Sequence, residues 1–278
     1  MYLKILKNSY VSNSSSRVQS LSIITSVNSV SLLAASLDPG LVARWQFKNS
    51  LVDSVGSVSI SCQSPILYVQ NHLDEQNNAL GPLGMNQCSV PTKPFFNFPG
   101  AFTVSVWIKC NMENPLDNQV IFDFGNGISS DSLWFGFNRG ETRLSFWIFD
   151  MGSPTIMNGV TSLALNTWNF VTLTFDGTVY TLYINGVSDV SKAMSPPRNV
   201  QRSKNYIGSS ISGVALSTKN TILDDFRIYN RALSQAEIRG LNQSKQNKIP
   251  FLNLISELKT NWYSVYFYLL LFLFFNRA

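Results

Sequence analysis

The sequence predicts an all-β fold of antiparallel strands, and three observations carry this prediction. Residues 102–108 alternate apolar and polar side chains with a period of about two, as in a strand with one buried face. Two dipeptides, Asp176-Gly177 and Asn185-Gly186, have the composition of tight hairpin turns, which need residues that tolerate positive φ. Between residues 41 and 233 no amphipathic helical pattern occurs. Many short strands with glycine and proline between them indicate a sandwich or a barrel.

The other strands follow from the same alternation and from runs of β-branched and aromatic residues. Val171, Leu173 and Phe175 share one face of a strand that leads into the turn at Asp176-Gly177. Further strands are predicted at residues 41–47, 120–124, 133–137, 144–149 and 205–207. The strand-rich region is continuous, so we expect it to form one domain.

The last strand, residues 222–229, carries two consecutive carboxylates. Because side chains alternate along an extended chain, Asp224 is expected on the same face as Phe226 and Ile228, and Asp225 on the other. An ionised carboxylate on a buried face is costly unless it is paired or bound to a metal, which makes Asp224 a candidate site residue. Ser234 followed by Glu237 three residues later is a capping box, so a short helix is expected to begin there.

Four segments of the chain carry a resemblance to a known family. They are Phe-Thr-Val-Ser-Val-Trp-Ile at 102–108, Trp-Asn-Phe-Val with Phe-Asp-Gly at 168–177, Leu-Tyr-Ile-Asn-Gly at 182–186, and Asp-Asp-Phe-Arg-Ile-Tyr-Asn-Arg-Ala-Leu-Ser with Glu-Ile at 224–238. Together they resemble the laminin G-like family of the concanavalin A-like lectin/glucanase superfamily, over roughly residues 41–242. The resemblance implies an antiparallel two-sheet jelly-roll sandwich.

The resemblance also implies a structural Ca²⁺ near the rim of the sandwich, because jelly rolls of this kind often carry one. Asp53, in an early turn, and Asp224 are the candidate ligands. Calcium prefers carboxylate and carbonyl oxygens, which both residues can supply. The alternative is a purely structural role, in which backbone N–H groups or an arginine satisfy the Asp224 carboxylate.

The distribution of charge argues against nucleic acid as a partner. The chain has 278 residues, of which 45% are hydrophobic and 13% charged, and a net charge of +5. Residues 41–242 contain 14 basic and 14 acidic side chains, so the whole excess lies in the flanks. Lysine and arginine contacts to phosphate dominate nucleic-acid affinity, and the predicted domain has no surplus of them.

The three cysteines predict at most one disulfide bond. Their spacing does not match a metal site, and His72, the single histidine, cannot complete a zinc set. If the domain is extracellular, Cys62 and Cys88 are the favoured pair, because both lie in the poorly patterned early region. Three free thiols remain the alternative.

The flanks of the predicted domain differ in character. Residues 1–37 form a polar, serine-rich segment or an atypical secretion signal, followed by the jelly-roll domain at 38–242 and a linker at 243–261. Residues 262–275 are an uncharged, strongly hydrophobic tail. A bilayer span takes about 20 residues, so a short membrane anchor, a processed lipid-anchor signal and a truncated end are all open.

Catalysis is not predicted. Glycoside hydrolases of this superfamily need two carboxylates about 5–10 Å apart, which on one strand means acids two or four positions apart on one face. Glu113 and Asp117 are four positions apart, but they lie in a predicted loop and not on a strand. Asp123, Glu141 and Asp150 are isolated, and His72 has no nucleophile near it in the sequence.

The function that remains is recognition. We expect a non-catalytic module, extracellular or displayed on a membrane, that binds a glycan or a protein partner through its rim loops. A purely structural adhesion or spacer domain is the alternative, and a glycoside hydrolase relative a weaker one. Trp107 and Trp134 alternate out of phase with their apolar neighbours, so each either packs beneath another layer or is exposed to a sugar.

Overall fold

A computed structural model describes residues 38–84, 86–111, 118–150, 152–212 and 220–243. The expected N-terminal segment at 1–37, the hydrophobic tail at 262–275 and most of the linker lie outside these residues. Within the described ranges no helix combines the length and the apolar character needed to cross a membrane.

The first of two antiparallel sheets is built around the longest strands. Its strands are β1 (Leu41–Trp45), β3 (Tyr68–Val69), β4 (Ala79–Leu80), β6 (Phe102–Cys110), β11 (Trp168–Phe175), β12 (Val179–Ile184), β13 (Val187–Ala193) and β15 (Thr221–Tyr229). They lie in the order β13-β12-β11-β6-β15-β4-β3, with β1 also paired to β15. β6 and β15 pair in the centre of this sheet.

The second sheet covers the other side of the core. Its strands are β2 (Ser61–Cys62), β5 (Cys88–Val90), β7 (Gln119–Gly125), β8 (Leu133–Phe137), β9 (Leu144–Ile148), β10 (Thr155–Asn158) and β14 (Lys204–Ile207), in the order β10-β9-β8-β7-β14-β5-β2. One α-helix, α1 (Gln235–Asn242), and a 3₁₀ turn at Pro94–Asn97 complete the described elements.

The architecture confirms the predicted all-β, two-sheet antiparallel sandwich. The capping box is present as predicted, with Ser234 and Glu237 each bonding the backbone of the other at the start of α1. At the second hairpin Asn185 and Gly186 both have positive φ, of 52° and 77°.

The first hairpin turn differs from the prediction. Only Gly177 has a positive φ there, of 112°. The carboxylate of Asp176 instead accepts hydrogen bonds from the backbone N–H groups of Thr178 and Val179, each at 2.8 Å. The turn is therefore closed by a side chain of Asp176 that mimics a backbone acceptor, and it needs one residue with positive φ instead of two.

The main core lies between the sheets and is rich in phenylalanine. Phe122 and Phe124 of β7 stack at 4.6 Å and meet Phe226 of β15 edge-on at 6.1 and 6.4 Å. Stacked and edge-on contacts of this kind stabilise aromatic pairs by about 0.5–1.5 kcal/mol beyond their buried area. These contacts tie the centre of the second sheet to the centre of the first.

A second, smaller apolar cluster seals the outer face of the first sheet. Trp107 and Phe170, which point away from the main core, pack with Tyr229 beneath Leu233 and Ile238 of the C-terminal segment. Ile238 is the buried residue of α1 and is 0% exposed. Trp107 therefore packs beneath another layer and is not exposed to a sugar, which decides between the two alternatives that the sequence left open.

The last strand departs from the predicted alternation at Asp225. The pairing of β15 with β6 shifts register after Asp224, and Asp225 has a left-handed φ of 48°. Such a β-bulge adds a residue to one strand and so reverses the face that later side chains take. Asp224 lies with its cross-strand partner Trp107 on the outer face, whereas Phe226 and Ile228 lie in the core. The prediction that Asp224 shares their face was wrong.

Candidate functional site

A row of outward-facing side chains crosses five strands of the second sheet. The register of β14, β7, β8, β9 and β10 places its members directly opposite one another, in the order Tyr206, Asp123, Trp134, Trp147 and Ile156. Directly opposed residues of antiparallel strands share a face. The sequence neighbours of Asp123, Phe122 and Phe124, belong to the core, so the row faces away from it.

Asp123 is the acidic member of the row and is 2% exposed. Ser132 and Ser210 donate their hydroxyl hydrogen bonds to its two oxygens, the second at 2.6 Å, and the backbone N–H of Ile211 lies 3.3 Å away. Burial raises the pKa of Asp123, and these hydrogen bonds oppose the rise. The carboxyl group is thus held in one orientation by donors from two separate loops.

Three aromatic rings continue from Asp123 along the sheet. Trp134 and Trp147 have ring centroids 5.5 Å apart with an interplanar angle of 55°, and Trp147 and Phe149 are 5.8 Å apart at 39°. Trp134 is 6% exposed, whereas Trp147 and Phe149 are half-buried. The indole N–H of Trp147 is buried and finds no acceptor within the described part of the chain. Trp147 and Phe149 thus offer a stacking surface, and the N–H of Trp147 is a donor without an acceptor among the described residues.

These residues line a small cleft with a volume of about 80 Å³, which we name the aromatic cleft. Its members include Asp123, Ser132, Trp134, Trp147 and Phe149, with Ile128, 70% exposed, at its edge. Asp123 is the single carboxylate among the described residues that line it. The cleft can stack on a flat apolar face and exchange hydrogen bonds with hydroxyl groups, but these residues do not supply the carboxylate pair of a glycoside hydrolase.

Asp224, the sequence-predicted site residue, lies on the opposite side of the molecule and is 1% exposed. Its Oδ2 contacts Nδ1 of His72 and accepts the backbone N–H of His72 at 3.4 Å. The His72 ring stacks on Trp107, with centroids 4.4 Å apart and an interplanar angle of 12°. Burial raises the pKa of Asp224, and the contact with His72 opposes that effect. Asp224 thus joins the loop of His72 to the outer face of the first sheet.

Asp225, at the bulge, is the more strongly paired of the two carboxylates. It accepts from Nε and Nη2 of Arg44 at 2.6 and 3.1 Å and from Nη2 of Arg227 at 2.5 Å. Burial alone would raise the pKa of Asp225, but the charges and hydrogen bonds of Arg227 and Arg44 hold it below its usual range. Sequence reasoning placed Asp225 on the unremarkable face, and the bulge turns it into the centre of an ion-pair network.

Asp53 has a set of partners of its own. Its Oδ1 accepts the backbone N–H groups of Arg44 at 2.6 Å and Val55 at 2.9 Å, and its Oδ2 accepts that of Gly56. Asp53 and Asp224 share no hydrogen-bond partner, and no group of three or more potential metal ligands occurs among the described residues. A calcium ion at either residue would have to displace N–H donors. Calcium binding stays a prediction with a direct test.

The cysteines follow the favoured arrangement. Cys62 and Cys88 lie opposite each other on β2 and β5, and their sulfur atoms are 2.01 Å apart, as in a disulfide. Cys110, on β6, is a buried free thiol. The bridge fastens the edge of the second sheet.

Comparisons with known proteins agree with this fold. A laminin G-type family model, described as the concanavalin A-like lectin/glucanases superfamily, matches residues 84–239. Among curated proteins, Paraclostridial mosquitocidal protein 1 from Paraclostridium bifermentans is 26% identical over 167 residues, which is 55% of this chain and 13% of that protein.

Solved binding domains of clostridial toxins share the fold. The binding domain of the mosquitocidal protein has a TM-score of 0.58 at 19% identity and covers 74% of this chain and 52% of its own. That of botulinum neurotoxin DC, in complex with rat synaptotagmin II, gives 0.58 at 18% identity with the same shares. A botulinum neurotoxin type C structure, from work on cell entry dependent on two ganglioside molecules, gives 0.59 at 19% identity and covers 76% of this chain and 53% of its own.

This chain therefore spans about half the length of the solved toxin chains it matches and a small part of the curated relative. At such identities the structural likeness shows the fold alone. The family model, in contrast, covers more than half of the residues. The chain belongs to the concanavalin A-like lectin/glucanases superfamily.

Proposed function

We propose that this chain is a non-catalytic recognition module that binds a glycan at the aromatic cleft. The observation that carries the proposal is the cross-strand row, in which Asp123, Trp134 and Trp147 stand side by side on the outer face of the second sheet. Strands are rigid supports, so the rings and the carboxyl group are held in place before a ligand arrives.

The chemistry of the cleft suits a sugar. The half-buried rings of Trp147 and Phe149 can stack on the apolar C–H face of a pyranose, and the N–H of Trp147 needs an acceptor. Asp123 and Ser132 form a polar wall of the cleft beside these rings. Because Asp123 and Ser132 are buried and already ordered, binding does not have to immobilise their side chains.

The structural relatives support a binding role. The neurotoxin type C work concerns gangliosides, and the neurotoxin DC domain was solved with synaptotagmin II. Domains of this fold therefore include examples that interact with a glycolipid and examples that interact with a protein. A protein partner is therefore the second candidate function. An enzymatic role has less support, because the aromatic cleft has one carboxylate among its described lining residues.

We place the module outside the cell or on its surface, as expected from the sequence. The Cys62–Cys88 bridge supports this proposal, because disulfides persist mainly in oxidising compartments. Contact with a membrane through the tail at 262–275 is a further expectation, and its test is whether the full chain, but not one ending at Ser244, partitions with lipid vesicles.

A glycan array probed with the full chain tests the proposed function. Binding should fall by about fivefold to tenfold in Trp147→Ala, since stacking on an aromatic ring is worth on the order of 1 kcal/mol. Trp168→Ala is the matched control, because Trp168 is a half-buried tryptophan on the first sheet and should leave binding unchanged. A chain that binds nothing on the array, or whose binding survives Trp147→Ala, contradicts the proposal and favours a protein partner or a spacer.

A further inference from the structure

A second cleft adjoins the aromatic cleft at the end of β9. It has a volume of about 210 Å³, and we name it the polar cleft after five of its lining residues: Asp131, Asp150, Thr155, Ser195 and Arg198. Phe149 lines both clefts. A molecule that stacks on Phe149 is therefore in reach of both sets of side chains.

The two clefts are built from the same pair of strand ends. Ser132 lines the aromatic cleft and Asp131, the preceding residue, lines the polar cleft. Phe149, directly before Asp150, donates its backbone N–H to the carbonyl oxygen of Ser132 at 2.9 Å. The distance between the two clefts is thus set by one backbone pairing and not by a flexible loop.

Arg202 makes the floor of the polar cleft rigid. It is 1% exposed, and its guanidinium donates to four carbonyl oxygens, those of Asp131 at 2.8 Å, Phe96 and Asn97 at 3.0 Å each, and Arg198 at 3.1 Å. Burial lowers the pKa of Arg202 to about 10, while the charge of Asp131 opposes that shift. Arg202 remains a cation at neutral pH and fixes the backbone on which Asp131 and Arg198 stand.

The rim of the polar cleft carries an exposed acid and an exposed base. Nη1 of Arg198 donates to Oδ1 of Asp131 at 2.9 Å, and its Nε lies 3.8 Å from Oδ1 of Asp150. The side chains of Arg198 and Asp150 are 44% and 65% exposed, and a pair so exposed is held weakly and reorganises at little cost. The polar cleft contains two acidic side chains, Asp131 and Asp150, and two basic ones, Arg198 and Arg202. Their charges sum to zero, so the cleft has no preference for an anionic ligand.

The Asp150 carboxylate accepts hydrogen bonds and the Arg198 guanidinium donates them, and the hydroxyl groups of Thr155 and Ser195 lie in the same cleft. This set matches adjacent sugar hydroxyls, which both donate and accept. We infer that the glycan is a neutral oligosaccharide of at least two residues, one stacked on Trp147 and Phe149 and the next bound in the polar cleft. This inference rests on the proposed glycan-binding function and names its ligand class.

The test measures affinity against chain length. Neutral oligosaccharides of one to four residues, taken from the best neutral binder of the array, are titrated into the full chain by calorimetry. We expect affinity to rise about tenfold or more once the sugar is long enough to reach the polar cleft, the gain of one or two charge-assisted hydrogen bonds. Asp150→Asn should remove this increment and leave the affinity for the monosaccharide unchanged, whereas Trp147→Ala should weaken every length.

Glu141→Gln is the matched control, because Glu141 forms an exposed ion pair with Arg143 and lines neither cleft. It should leave the whole series unchanged. Equal affinity for all lengths with sensitivity to Trp147→Ala overturns the inference and leaves the proposed function standing. The same holds if Asp150→Asn weakens the monosaccharide as much as the longer sugars, or if sialylated glycans alone bind. Absence of binding to any glycan overturns both.

Discussion

The outer faces of the two sheets carry the same kinds of residue and put them to different use. On the first sheet Trp107 and Phe170 are sealed beneath Leu233 and Ile238, and Asp224 is satisfied by His72. On the second sheet Trp147 and Phe149 stay half-buried at the edge of a cleft. An outward-facing aromatic residue is therefore a binding candidate only if no other element covers it, and its alternation in the strand does not decide this.

Truncating one tryptophan on each face should break this comparison most clearly. Trp107→Ala is expected to lower the free energy of unfolding by about 3–5 kcal/mol, because it leaves a cavity in the second apolar cluster. Trp147→Ala should cost well below that, since its ring is half-buried and lines an open cleft. Urea unfolding followed by intrinsic fluorescence and circular dichroism measures both. Equal losses would mean that the second face is as much a core as the first.

Asp225→Ala should be almost as damaging, at about 3–5 kcal/mol, because it leaves Arg44 and Arg227 without their shared counter-ion. The pKa of Asp225 is lower in the folded state than its unfolded value near 4, so the carboxylate stabilises the fold above about pH 4 and loses this effect as the pH falls further. The unfolding free energies of the two proteins should therefore converge in acid. A constant gap from pH 7 to pH 3 would contradict the ion-pair account.

Asp224→Ala is expected to cost less, about 1–3 kcal/mol, by leaving His72 without its buried partner. This ranking reverses the one that simple alternation predicts, in which Asp224 faces the core and Asp225 does not. Asp224→Asn, which retains an acceptor, should recover part of the loss. A larger cost for Asp224→Ala than for Asp225→Ala would restore the sequence-based view.

The calcium hypothesis has a separate test on the same residue. If Asp53 and Asp224 hold Ca²⁺, added calcium should raise the Tm of the full chain and a chelator should lower it, because a ligand that binds the folded state stabilises it. Asp53→Ala and Asp224→Ala should then each abolish the response. A chain indifferent to both calcium and chelator would leave both carboxylates with their N–H donors alone.

The smallest effect is expected at the start of the helix that covers the first sheet. Ser234→Ala removes the side-chain acceptor of the capping box and should cost about 1 kcal/mol. Ser234→Thr, which keeps a hydroxyl at the cap, should recover most of this loss. If Ser234→Ala also slows or weakens glycan binding at the second sheet, the two faces are coupled and the comparison between them needs revision.

Local patterns predicted much of this fold correctly. The alternation in 102–108 and 168–175, the turn at Asn185-Gly186 and the capping box at Ser234 all depend on residues close together in the chain, and the structure confirms each. The very short strands β2 to β5 were not predicted, because two or three residues cannot display a period. The candidate site was missed for a different reason, since Asp123 was judged isolated along the chain.

The sequence by itself determined the antiparallel strands and the turns between them, because side-chain period and turn composition are properties of neighbouring residues. Only the tertiary structure decided that Asp224 lies on the outer face of the first sheet and that the residues of the aromatic cleft lie side by side. A single bulge at Asp225, imposed by pairing with β6, reverses the alternation. The register of β14, β7, β8 and β9 brings Tyr206, Asp123, Trp134 and Trp147 into one row. Register depends on hydrogen bonds between distant segments, so no local pattern contains it.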